Sequence, residues 1–183
     1  MTRRLQVGRR NRRARWLPAA SALLLAAATA LAQYADDGRA DWREGDVPPP
    51  PAYTTDASKL IGIDMPAASS IKLGIDPASI TLDHATGIAR YVVIARGPAA
   101  VNASYEGIRC ATAEYRIYAR QTEGNPWTTV SESRWKPMRG HSGVLVAHPL
   151  QLAQGGLCLG TTLRRSVAEA VQELRSGNKS MYN

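Results

Sequence analysis

Side chains able to do chemistry are few and scattered in this sequence. Its imidazoles are His84, His141 and His148, and its thiols are Cys110 and Cys158. The histidines share no x₃₋₅ spacing that would place them on one helix or finger, and the cysteines are far from a CxxC pair. Neither a metal nor another cofactor is expected. The sequence has no G-x-S-x-G elbow and no phosphate-cradling glycine loop, so the common hydrolase and nucleotide-binding fingerprints are missing. His141-Ser142 stands in a glycine-flanked loop, but sequence neighbours seldom point at one another, and no base and nucleophile pair is assigned there. Asn102-Ala103-Ser104 is a formal glycosylation acceptor that, behind a leader of bacterial style, reads as an ordinary turn.

The densest polar cluster runs from Asn102 to Cys110 (NASYEGIRC). Glu106 and Arg109 lie three apart around Gly107, directly before Cys110. This is the pattern of a tight turn entering a strand, with opposite charges fixing its geometry. An ion pair of that kind acts first as structure. With Tyr105 and Trp135 the two residues form the candidate binding set, and no catalytic residue is assigned. An even cysteine count in an exported chain predicts a disulfide, Cys110–Cys158, which closes a loop of 48 residues.

The same stretch carries a resemblance. Tyr105-Glu106-Gly107-Ile108-Arg109-Cys110, the following Glu114-Tyr115-Arg116-Ile117-Tyr118-Ala119, then Trp127, Trp135 and the late Cys158 resemble the cryptic neisserial protein (CNP-like) family of exported proteins from Gram-negative bacteria. The similarity covers Trp42 to Cys158. It implies a periplasmic or envelope setting and one recurrent domain, and it brings no catalytic residues with it.

The elements that must position these residues follow from periodicity. Ile71, Leu73 and Ile75 alternate with Lys72 and Gly74, and Ile80 and Leu82 alternate with Thr81 and Asp83, each a half-buried strand pattern. The turn Asp83-His84-Ala85-Thr86-Gly87 then leads into Ile88–Ala95, apolar on both faces apart from Arg90, which predicts a central strand hairpinned to its predecessor. Ile108–Arg120 reads as one long or bulged strand, and Trp127–Val130 with Trp135 as a further strand and its flank. Val167, Ala170, Val171 and Leu174 make one helical stripe, opened by Ser166 with Glu169 and closed at Gly177. A shorter helical turn starts at Pro149 and ends at Gly155-Gly156. The expected fold class is α+β: an antiparallel sheet of about four to six strands with a C-terminal helix packed on it and one disulfide.

The flanking composition sets the boundaries. Seven arginines and no acidic residue in the first fifteen positions, an uncharged run from Trp16 to Ala32 and a terminal Ala30-Leu31-Ala32 predict a signal peptide over 1–32, cleaved before Gln33. Leu5 and Gln6 after the first arginine pair favour ordinary secretion over the twin-arginine route. Residues 33–58, with Pro48-Pro49-Pro50-Pro51, read as an extended arm that Trp42 and Val47 pin to the body. Residues 59–183 read as a single globular domain. Removing the leader leaves 16 basic against 15 acidic residues, a net charge of +1, which argues against nucleic acid as a partner. The expected function is a periplasmic or envelope-associated binding or structural domain whose partner is an envelope protein or a small ligand. No stable transmembrane segment is expected after cleavage. The alternative is a periplasmic hydrolase of cell-wall or small-molecule substrates with Glu106 or His141 as acid or base.

Overall fold

The computed structural model describes residues 42–139 and 147–179. The leader over 1–32 and the His141-Ser142 loop therefore lie outside the described residues. A compact unit runs Glu44–Asn183.

Its centre is an antiparallel sheet. Strands β1 (Ile61–Ile63), β2 (Lys72–Ile75), β4 (Ile88–Arg96), β5 (Val101–Arg109), β6 (Glu114–Thr122) and β7 (Thr128–Thr129) lie in that order. The short β3 (Thr81–Asp83) adds to β4, and β8 (Lys136–Pro137) adds to β6. The expected antiparallel sheet is thus present, lengthened at its edges by two-residue strands. The hairpin before β4 forms as its turn chemistry predicts: Asp83 Oδ1 accepts the Ala85 and Thr86 amides at 3.1 and 3.2 Å, and Gly87 takes a positive φ.

The long strand expected over Ile108–Arg120 is instead two strands. Ile108 and Arg109 end β5, the chain turns through a 3₁₀ segment at Cys110–Thr112 with Ala113 left-handed, and β6 starts at Glu114. The polar cluster Asn102–Arg109 is therefore mid-sheet strand rather than a turn. Its alternation is masked because one face carries Asn102, Ser104 and Glu106 in place of apolar residues.

Both faces are covered. On the front, β9 (Cys158–Leu159), β10 (Thr162–Leu163), helix α1 (His148–Leu152) continuing as a π-type turn through Leu157, and helix α2 (Val167–Lys179) shield Ile61, Ile75, Ile108 and Tyr115. Ser166 Oγ accepts the Glu169 amide at 3.2 Å as the N-cap expectation requires, but α2 runs through Gly177 rather than stopping there. A Cβ on Gly156 would stand 2.7 Å from the Ala170 carbonyl, so only glycine lets α2 approach the π-type turn this closely. The Cys110–Cys158 disulfide is formed and ties the turn after β5 to β9. Among the described residues no helix is long and apolar enough to cross a membrane.

On the back, Val92, Ile94, Ala103, Tyr105, Tyr118 and Ala119 form a second core under the proline-rich arm. The residue that holds the arm is Glu44. Its carboxylate, 7% exposed, takes Arg90 Nη2 at 3.1 Å, Arg116 Nη1 at 2.8 Å, the Trp135 indole N–H at 3.2 Å and the Tyr118 hydroxyl. Val47 and Pro48–Pro50 then line a shallow groove with Tyr105 and Tyr118. Tyr53 donates to Gln121 Oε1 at 2.6 Å and meets the Trp127 ring edge-on.

Candidate functional site

Register decides what reaches the front face. Paired residues share a face, so Tyr91 and Glu106 make one cross-strand row, Val93, Ser104 and Arg120 the next, and Ala95, Asn102 and Thr122 the last. A bulge interrupts the β5–β6 ladder: Tyr105 pairs with Ala119 but Glu106 with Ile117, leaving Tyr118 as the extra residue. Gly107 sits under that bulge, where a Cβ would meet the Tyr118 hydroxyl at 2.5 Å. The helices cover only part of this face. The rest borders a cavity of about 820 Å³, with Leu73, Val93, Ala95 and Ile117 as apolar wall and Trp127 at its rim.

Glu106 lies against that cavity and is 1% exposed. A carboxylate so far from water needs hydrogen-bond donors, and three are supplied. Ser104 Oγ donates to Oε1 at 2.6 Å, the Tyr91 hydroxyl reaches Oε2 at 3.4 Å, and His148 Nε2 stands 2.7 Å from Oε2. With Glu106 ionised, Nε2 carries the proton, which fixes the tautomer and plane of the ring. His148 opens α1 with Pro149 beside it, the proline's fixed φ suiting a first turn that delivers the imidazole to the sheet. Burial, and then the neighbouring Glu106 charge, push the Tyr91 hydroxyl well above the ordinary phenol range; the same two causes raise Tyr115.

The expected binding residues do not come together. Glu106 faces the front cavity. Tyr105 is buried on the back, 5.3 Å from the Tyr118 ring, and Trp135 is on the back with Glu44. Arg109 ends β5 three positions from Glu106, and strand alternation turns the two side chains to opposite faces. The expected Glu106–Arg109 pair is thus replaced by Glu106–His148. Sequence reading passed over His148 because its partner is 42 residues away, and Glu44 because it sits in a proline-rich arm. His84 is exposed in the hairpin turn. Among the described residues no group of three or more histidine, cysteine or acidic side chains is placed to hold a metal ion.

Chemically, an oriented imidazole beside a buried carboxylate could act as a general base, but among the described residues no hydrogen bond joins it to a serine, threonine or cysteine nucleophile. The Ser104 hydroxyl donates to Glu106 rather than to the ring. The arrangement is a satisfied polar pair on the wall of a cavity lined by both apolar and polar side chains.

No curated protein and no solved structure matches the chain at a significant level. The sequence model of one family does match, over residues 37–175, a span that takes in β1 to β10, the disulfide and most of α2. The chain belongs to the CNP1-like family.

Proposed function

We propose that this protein is an exported binding domain of the periplasm or cell envelope that holds a small ligand in the front-face cavity. The observation that supports the reading is the cavity itself. Its volume falls within the range of about 300–1,000 Å³ typical of small-molecule sites, and it joins an apolar wall to polar groups that include the Glu106–His148 pair. The leader and the disulfide favour an oxidising compartment outside the cytoplasm. A hydrolase reading has less support, since Ser104 and His148 both address Glu106 instead of each other.

Native mass spectrometry of mature protein taken from a periplasmic extract tests this. A non-covalent adduct is expected, and Ala95→Trp, which fills the cavity, should abolish it while the protein stays folded. An adduct that survives Ala95→Trp, or wild-type protein that is always empty, would count against the cavity as the site.

A further inference from the structure

The geometry points to the class of ligand: an amphipathic molecule with one anionic group, whose anion is held by Arg120 at the cavity mouth. This rests on the cavity being the binding site.

The bulge in β6 is what puts Arg120 there. Ile117 faces front, and in an unbroken strand residues 119 and 121 would follow it, turning Arg120 to the back. The extra residue at Tyr118 reverses the phase, so Arg120 pairs with Ser104 and lines the cavity. Arg90 and Arg116, on the back, are held by Glu44. Arg120 is exposed, and its guanidinium makes no hydrogen bond or ion pair with the described residues.

Its neighbours are arranged for an anion. Thr122 Oγ1 donates to Asn102 Oδ1 at 2.9 Å, which occupies the amide oxygen and leaves the Asn102 NH₂ as a second donor in the adjacent row. Glu106 is the cavity's one carboxylate among the described residues, and its oxygens are already taken by Ser104, Tyr91 and His148. A planar guanidinium with an amide NH₂ beside it matches the oxygens of a carboxylate or a phosphate ester. Leu73, Val93, Ala95 and Ile117 leave hydrocarbon as the remainder of the ligand.

The probes are dodecanoate, dodecanol and dodecyltrimethylammonium, added to folded mature protein (residues 33–183), with binding read by calorimetry and by tryptophan fluorescence. Dodecanoate should bind tenfold or more tighter than the other two, about the value of one charged hydrogen-bonding contact. Arg120→Gln should remove that preference and leave dodecanol binding unchanged, and Arg120→Lys should retain part of it. Equal affinity for all three probes, or an anion preference that survives Arg120→Gln, overturns the assignment while leaving the cavity intact as a site. If no probe binds to wild type, or if Ala95→Trp binds the probes as tightly as wild type does, both the assignment and the cavity reading fall. Phosphatidylglycerol vesicles separate the sources: Arg120-dependent association with them identifies a lipid headgroup, and binding of free dodecanoate alone identifies a soluble acid.

Discussion

Glu106 and Glu44 are buried carboxylates on opposite faces of the sheet. Glu106 answers to His148 and Glu44 to Arg90, and each partner is more than forty residues away in sequence. Glu106 stands out as a candidate from its place in YEGIRC, but its partner is not legible there, since a nearby opposite charge at Arg109 offers a simpler pairing that strand alternation forbids. A double-mutant cycle separates the two. Glu106→Gln with His148→Ala should show coupling of about 1–3 kcal/mol, whereas Glu106→Gln with Arg109→Ala should be additive within about 0.5 kcal/mol. Denaturant melts of the three single and two double variants check this, and coupling confined to Arg109 would restore the turn-pair reading. A second expectation concerns alkaline pH. Burial, with Glu44 and its hydrogen bond, raises Tyr118 far above the ordinary phenol range, and burial with Glu106 does the same to Tyr91. The fold therefore favours the protonated phenols: their contribution is intact below pH about 10, where unfolded tyrosine titrates, and is lost as the pH climbs above it. Tyr118→Phe, which has no proton to lose, should be about 1.5–3 kcal/mol less stable at neutral pH and should lose less with each pH step above about 10. Circular dichroism melts across pH 7–12 measure both slopes.

At the scale of elements, what periodicity could show was shown. The β3–β4 hairpin follows from Asp83 to Gly87 and the apolar run of β4, and α2 follows from the Val167, Ala170, Val171 and Leu174 stripe with its serine cap. Strand β5 was not legible, because a strand with Asn102, Ser104 and Glu106 toward the cavity and an arginine–tyrosine layer on the other face shows no apolar alternation. The same chemistry that hides the strand makes the site. The bulge at Tyr118 leaves no signal either, since the glycine that accommodates it stands on the neighbouring strand. The disulfide was legible from the even cysteine count and the expectation of export alone. It joins the end of β5 to β9, and so binds the layer that carries His148 to the strand that carries Glu106. Reduction, or Cys158→Ser, should lower stability by about 2–4 kcal/mol, as expected for a closed loop of this length. The melting temperature with and without reductant gives the result, and equal values would mean that packing by α2 alone holds the layer in place.

For the molecule as a whole, the question is where the fold begins. Composition places the start of the domain near residue 59, after the prolines, whereas Glu44 binds two arginines, a tyrosine and a tryptophan that belong to β4, β6 and the segment before β8. Arg90 is only 4% exposed, so without Glu44 its charge is left in the back layer with Asp83 alone, at 3.5 Å. Removing one partner of a buried ion pair costs about 3–5 kcal/mol, far more than the roughly 0–1 kcal/mol of an exposed pair. The arm is thus expected to be a structural part of the domain with its boundary just before Glu44. A chain beginning at Trp42 should melt as residues 33–183 do. A chain beginning at Val47, which keeps all four prolines and Tyr53 but loses the carboxylate, should match Glu44→Ala and fall by the buried-pair amount. Thermal melts of these chains test the boundary: if the chain from Val47 keeps full stability, the prolines and Tyr53 hold the arm and Glu44 is dispensable, and if the chain from Trp42 already loses it, the fold begins earlier still.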